Sequence, residues 1–273
     1  MVGPPMLECK KVSFFYHQAQ ILYDVSFRAL AGELLGVVGP NGSGKTTLLK
    51  ILYRALEPTG GEVLLNGHQR LHRLKRQEIA HRIAVMGQEP ALQFPITVFE
   101  LVMQGRYPHL RGLGFERDED QEQVLRALKQ TDLLELAPRR VEETSGGERR
   151  RMLLARAIAQ APEILLLDEP TVNLDIYYQL ELFTLIRDLT RTQKLCTVLV
   201  THDINLISEF ADRVILLKAG RIFRAGTPRE VLTAGHIQAV FNIDVLVDEN
   251  PSSGNPRISH RVTVPVSPMK GKV

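Results

Sequence analysis

The chain has 273 residues, 44 % of them hydrophobic and 24 % charged, and 34 basic against 31 acidic side chains leave a net charge of +3. This is the make-up of a folded globular protein of one large or two intimate domains, and it excludes a disordered, collagen-like or disulfide-scaffold chain. Aliphatic runs such as Ile164–Leu167 fall far short of the roughly 20 apolar residues of a membrane helix, so the chain is not expected to cross a bilayer by itself. Residues Met1–Lys10 lack the basic start and apolar core of a signal peptide. Cys9 and Cys196 are far apart, in no metal-ligand spacing, and fit a reducing compartment.

In chain order, Leu7–Phe15 reads as extended and Leu34–Val38 as a short buried strand, followed after Gly39 by a glycine-rich loop and a helix over Lys45–Leu56 that Pro58 closes. Glu62–Leu65 reads as a strand ending in an Asn66-Gly67 turn. A basic span follows, with Arg70, Arg73, Lys75, Arg76 and Arg82. It reads as a solvated helix face rather than a contact for nucleic acid or anionic lipid. His68 and His72, without a carboxylate or Cys beside them, read as surface residues. Ile83–Met86 is strand-like. From about Pro90 to Pro162 helical periodicity takes over, in Val98–Gln104, Asp118–Gln130 and Glu148–Gln160. Strands return at Ile164–Leu167, Thr197–Val200 and Val214–Leu217, alternating with helices at Tyr177–Arg191 and Ile204–Phe210. That alternation predicts an α/β core, a mainly parallel sheet covered on both faces and interrupted by a helical insertion. In the proline-bearing tail, Val245–Val247 with Ile258, Val262, Val264 and Val266 suggests a hairpin, and the residues from Ser267 read as mobile.

Three motifs carry chemistry. Gly39-Pro-Asn-Gly-Ser-Gly-Lys45-Thr46 matches G-x-x-x-x-G-K-[ST] between a strand and a helix. Its glycines turn backbone N–H groups toward a phosphate chain, and the helix offers its positive end to the same anion. Lys45 reaches the terminal phosphates and the Thr46 hydroxyl serves Mg2+. Asp168 and Glu169 end the buried strand Ile164–Leu167. Carboxyl ends of parallel strands are where such sheets hold ligands. There Asp168 can hold Mg2+ and Glu169 can polarise a water. Thr144-Ser145-Gly146-Gly147-Glu148 opens a helix and offers a second anion cradle, although taken singly such a segment is more often a capped helix than a phosphate site.

In order and spacing these motifs resemble the ATP-binding cassette (ABC) family over nearly the whole chain. Gln88 fits the family's glutamine loop, Ser145-Gly146-Gly147 its signature, Asn173-Leu174-Asp175 its D-loop, His202 its switch histidine and Tyr16 its adenine-stacking aromatic. The resemblance implies a P-loop NTPase core, a mainly parallel sheet with flanking helices plus N-terminal antiparallel strands, and a helical insertion subdomain. It implies one ATPase domain over 1–273, with the core at about 1–89 and 163–247, the helical subdomain at about 90–162 and a hairpin or tail at 248–273. It places ATP on Tyr16, Gly39, Pro40, Asn41, Gly42, Ser43, Gly44, Lys45, Thr46 and Thr47, and, from a second copy, on Ser145, Gly146, Gly147, Glu148 and Asp175. Mg2+ falls to Thr46, Gln88 and Asp168, and catalysis to Glu169, His202 and Gln88. The family's usual Leu and Gln at the ends of the signature are Thr144 and Glu148 here, and Val172 replaces a usual small residue before the D-loop; these changes imply altered rates rather than a dead enzyme. Were Tyr16 packed in the core, adenine stacking would be lost while hydrolysis survived.

The resemblance also implies an ATP-sandwich homodimer, closing on ATP and opening after hydrolysis. Gly105-Arg-Tyr-Pro-His109, Ala219–Pro228 and Phe241–Val245 look like the ATPase subunits of metal-chelate importers, which take up iron–siderophore, haem or cobalamin. The implied partners are two membrane-spanning permease subunits, docked near Phe94–His109, and indirectly an extracytoplasmic substrate-binding protein, at the cytoplasmic face of the inner membrane. No nucleic acid is expected. The alternatives are a soluble ABC ATPase of DNA maintenance or translation, and an exporter ATPase. Long coiled-coil arms or tandem cassettes would mark the soluble class; the Gly105–His109 stretch disfavours export. Intact Glu169 and His202 oppose a binding module without turnover.

Overall fold

A computed structural model describes residues 5–87, 95–110 and 117–260. Strands β1 (Leu7–Tyr16) and β2 (Ala19–Ala29) form a hairpin through a tight turn in which His17 has φ 51°. β1 also pairs antiparallel with β4 (Gly60–Leu65), which carries the two-residue β5 (Gln69–Arg70), so this sheet runs β2-β1-β4-β5. Between them β3 (Leu34–Val38) leads through the glycine-rich loop into α1 (Lys45–Leu52). α1 stops four residues short of the sequence expectation: Arg54 turns into the left-handed region at φ 60°, and the Ala55 N–H returns to the Lys50 carbonyl.

The basic span is not one helix face. Arg70 lies on β5 and pairs with Glu62 at 2.9 Å, Leu71–Arg73 form a 3-10 turn, and only Arg76–Arg82 are helical, as α2. His68 and His72 are exposed. β6 (Ile83–Met86) follows, then α3 (Val98–Met103) with the 3-10 segment Gln104–His109, α4 (Asp118–Gln130) and α5 (Gly146–Ala159). These three helices share a core of Val98, Leu101, Val102, Val124, Leu128 and Met152.

The chain then alternates β7 (Ile164–Asp168), α6 (Ile176–Thr192), β8 (Cys196–Val200), α7 (Ile204–Phe210) and β9 (Arg213–Lys218) before β10 (Arg221–Gly226), α8 (Pro228–Val231), α9 (Ala234–Phe241) and the hairpin β11 (Val245–Glu249) with β12 (Pro256–His260). The central sheet has the order β10-β9-β3-β8-β7-β6. β9, β3, β8, β7 and β6 are mutually parallel, and only β10 pairs antiparallel. Because strand residues alternate between faces, Leu34, Val38, Leu165, Leu167 and Leu199 pack toward α3–α7, whereas Leu35, Val37, Ile164, Leu166 and Val198 pack toward α1 and the antiparallel sheet. Cys9 and Cys196 are free and buried; burial pushes both thiols up, so neither is a ready nucleophile.

Candidate nucleotide site

The sheet register brings the motifs together. Val37 on β3 and Asp168 on β7 both stand opposite Val200 on β8. The phosphate loop after β3, the carboxylates ending β7 and His202 after β8 therefore leave adjacent strands at one level, the end where parallel sheets place ligands.

The loop is built by close approach. A Cβ at Gly39 would stand 2.2 Å from the Leu217 carbonyl oxygen, and Gly44, capping α1, has φ +101°. Only glycine meets either demand. Behind the loop, the Gly220 N–H donates to the Ser43 carbonyl at 3.1 Å, so the β9–β10 turn buttresses it. Sequence reading had no signal for this support, because the two segments lie far apart in the chain. Lys45 is buried, and its ammonium donates to the carbonyls of Gly39 at 2.8 Å and Pro40 at 3.1 Å. Burial lowers its pKa, while Glu169 and Asp168 act the other way.

The side chains of Thr46 and Asp168 are hydrogen-bonded. Burial raises the Asp168 pKa and the neighbouring Glu169 adds to the rise, against Thr46 and Lys45. Asp168 Oδ1 is buried and has no hydrogen-bond partner among the described residues. A hard, oxygen-only pair with a buried unsatisfied oxygen fits Mg2+. Among the described residues no cluster of three or more His, Cys, Asp or Glu could hold a metal alone, so an ion held by Thr46 and Asp168 would need further oxygen ligands from the nucleotide or water.

Glu169 sits in the left-handed region at φ 49°, its N–H on the Val200 carbonyl at 2.8 Å. That strained turn is of the kind that aims a functional side chain. Its Oε2 lies 3.5 Å from His202 Nδ1. The cleft beside it, about 290 Å3, is lined by Tyr16, Ile21, Asn41, Gly42, Gly44, Lys45, Thr46, Thr47 and Glu169. Tyr16 is 41 % exposed, edge-on to Phe14 at 4.8 Å, and so is no core aromatic. Ile21 belongs to no motif and sits on β2, whose bulge leaves no regular apolar alternation to read.

Ser145, Gly146, Gly147, Glu148 and Asp175 do not line this cleft. Ser145 and Gly146 are exposed at the start of α5, and Asp175 is exposed at the start of α6. Ser145 caps α5: its Oγ accepts from the Glu148 N–H at 3.3 Å, and Glu148 Oε2 accepts from the Ser145 N–H at 2.7 Å. The Ser145 N–H first, and then the Ser145 hydroxyl, hold the Glu148 carboxyl below its ordinary range. Glu148 thus adds a negative charge at the start of α5. A Cβ at Gly147 would stand 2.6 Å from the Tyr178 ring, which ties the signature to α6. Thr144 is buried, its hydroxyl on the Val141 carbonyl at 2.6 Å. Gln88 and Phe94 lie outside the described residues.

The Gly105–His109 stretch is anchored from within. A Cβ at Gly105 would stand 2.1 Å from the Arg156 carbonyl. Buried Arg106 donates to Asp120 at 2.9 Å and to the Ala159 carbonyl at 2.8 Å. Pro108 accepts from Gln77 at 3.1 Å and from His81 at 2.6 Å, and Tyr107 is left 62 % exposed.

The family model described as ABC transporter matches residues 22–172. The iron(3+)-hydroxamate import ATP-binding protein FhuC of Bacillus subtilis is 37 % identical over 92 % of this chain and 93 % of its own length. The cobalamin import ATP-binding protein BtuD of Halobacterium salinarum is 41 % identical over 86 % of this chain, which spans 58 % of that longer protein. A solved ABC transporter described as of metal-chelate type, in an inward-facing conformation, matches with a TM-score of 0.82 and 28 % identity over 94 % of this chain and 97 % of its own.

Proposed function

The chain belongs to the ABC transporter family and is a transport-coupled ATPase, and on that premise we propose that two copies sandwich ATP to energise the import of metal chelates. One observation carries the chemistry. Lys45, Thr46 and Glu169 share one cleft, with Asp168 against Thr46 behind it and His202 against Glu169 at 3.5 Å, while Ser145 and Gly146 lie exposed on another part of the same chain. Half of a nucleotide site faces each way, and a head-to-tail pair completes both halves by symmetry.

In this reading the loop amides and Lys45 bind the β- and γ-phosphates, and Tyr16 stacks on the base. Thr46 and Asp168 would hold Mg2+. When bound, the ion neutralises charge developing on the phosphate oxygens. Glu169 accepts a proton from the attacking water as its oxygen bonds to the γ-phosphorus and the bridge to the β-phosphate breaks. His202 orients that carboxylate and the γ-phosphate. Ser145, released from the Glu148 carboxylate, would turn its hydroxyl proton to the partner's γ-phosphate. Gln88 completes the catalytic and metal-sensing set. Loss of the shared phosphate contact opens the dimer.

The division into a core at about 1–89 and 163–247 and a helical subdomain at about 90–162 follows from the same reading. In it, α3–α5 carry both the signature and the permease-facing surface. Among the described residues no helix is long and apolar enough to cross a membrane. Import therefore calls for membrane-spanning partners, docked beside exposed Tyr107 at the cytoplasmic face, and an extracytoplasmic binding protein. The relatives named for iron(3+)-hydroxamate and cobalamin support metal chelates as the cargo class, which in this reading extends to haem. Two measurements test the proposal. Glu169→Gln is expected to bind ATP and pair but turn over about 10²–10⁴-fold more slowly; undiminished hydrolysis would remove Glu169 as the base. Capture of the tagged chain from membranes is expected to bring multi-span subunits. Recovery with DNA or ribosomes alone would favour a soluble role.

A further inference from the structure

We infer that the C-terminal hairpin β11–β12 is a clamp that positions His202 through α7, with Asn205 as the positioning residue that closes it. The inference rests on the role proposed above for His202. α7 begins two residues after His202 and is only seven residues long, too short to hold its orientation unaided. One face, with Leu206, Ile207 and Phe210, is buried in the core. The other is bonded to the hairpin at three residues spaced i, i+3 and i+4.

Asn205 donates from Nδ2 to the Ile258 carbonyl at 3.0 Å and accepts at Oδ1 from the Ile258 N–H at 2.8 Å. Its side-chain amide thus occupies β12 as a neighbouring strand would. Buried Ser208 donates to the Pro256 carbonyl at 2.5 Å. Glu209 Oε2 accepts from Asn250 at 3.2 Å and from the Ser253 hydroxyl at 2.7 Å.

Upstream, the Thr201 N–H is fixed to the Val37 carbonyl at 3.3 Å, and the Thr201 hydroxyl accepts from the Asp203 N–H at 3.1 Å. Asp203 in turn caps α7 through the Leu206 N–H at 2.9 Å. His202 therefore hangs between two pinned points, one on the sheet and one on a helix that the hairpin holds. No described hairpin residue lines the nucleotide cleft, so the hairpin acts through that helix. A displacement of about 1 Å at a reacting group can cost up to about 10²-fold in rate, which makes the rotation of α7 consequential.

The test compares Asn205→Ala and Asn205→Asp in the purified full chain with ATP and Mg2+, alone and in a His202→Ala background. Asn205→Asp keeps the acceptor for the Ile258 N–H and loses the donor. The expected result is a kcat lowered roughly 10-fold by Asn205→Ala, a smaller loss for Asn205→Asp, and a KM for ATP that stays put. In the His202→Ala background the further loss should vanish. Wild-type turnover by both Asn205 variants beside a slow His202→Ala overturns the clamp and leaves the His202 reading standing. An equal further loss in the His202→Ala background also overturns it, because it marks a merely structural role. If His202→Ala itself turns over normally, both the clamp and the His202 reading fall.

Discussion

Replacing Arg106 by Ala asks whether the Gly105–His109 stretch is held by one buried ion pair. The Arg106 and Asp120 side chains are only 9 % and 5 % exposed, and their charged atoms meet at 2.9 Å. Removing one partner of such a pair costs about 3–5 kcal/mol, because the other charge stays buried and unpaired. Two local features set the place within that range. Asp120 keeps the Arg117 N–H at 3.2 Å, which moderates the loss, while the Ala159 carbonyl loses its 2.8 Å donor, worth about 1 kcal/mol. We expect Arg106→Ala to lower the unfolding free energy in urea at pH 7 by about 3–4 kcal/mol. The double variant Arg106→Leu/Asp120→Leu should recover most of it, since no charge is stranded. A loss for Arg106→Ala below about 1 kcal/mol, the value of an exposed pair, would refute the reasoning.

Two further outcomes follow from local geometry. Glu148→Gln preserves the capping box through its amide oxygen and removes a negative charge beside the proposed phosphate cradle, so ATP-dependent pairing should tighten several-fold in sedimentation assays; weaker pairing would contradict this placement of the charge. His109 stacks on His81 at 4.5 Å and donates to the Gln160 carbonyl at 2.8 Å. Burial lowers its pKa from the ordinary value of 6.5, helped by Arg106 and His81 and opposed by Gln160 and Asp120. The unfolded chain then binds more protons just below that value. Stability from this site is therefore full above about pH 6.5 and declines as pH falls from there toward the folded pKa. His109→Gln should flatten that part of a melting-temperature profile.

Much of the fold is legible because short aliphatic strands and capped helices announce themselves. Ile83–Met86, Asp118–Gln130 and Ile204–Phe210 form at the residues their periodicity indicates. β2 is not, because Asp24, at φ 49°, bulges the strand and breaks the alternation between Leu22 and Val25. β10 is an edge strand of mostly exposed residues and has no apolar pattern to detect. At the site, the phosphate loop and the Asp168-Glu169 pair are readable from spacing. Gly220 behind Ser43 and Asn205 on β12 are not, because each acts through backbone groups distant in the chain. Of the signature's two readings, the capped helix is met by the reciprocal bonds of Ser145 and Glu148, while the anion cradle belongs to the proposed pairing of two copies.

The most direct test of the composite site is complementation between two disabled chains, one carrying Lys45→Ala and the other Ser145→Arg. Each alone should hydrolyse almost no ATP. In a mixed pair one site carries both lesions, while the other joins an intact phosphate loop to an intact signature. The account predicts that mixing restores turnover. Mixtures that pair with ATP yet remain as inactive as their components would contradict it.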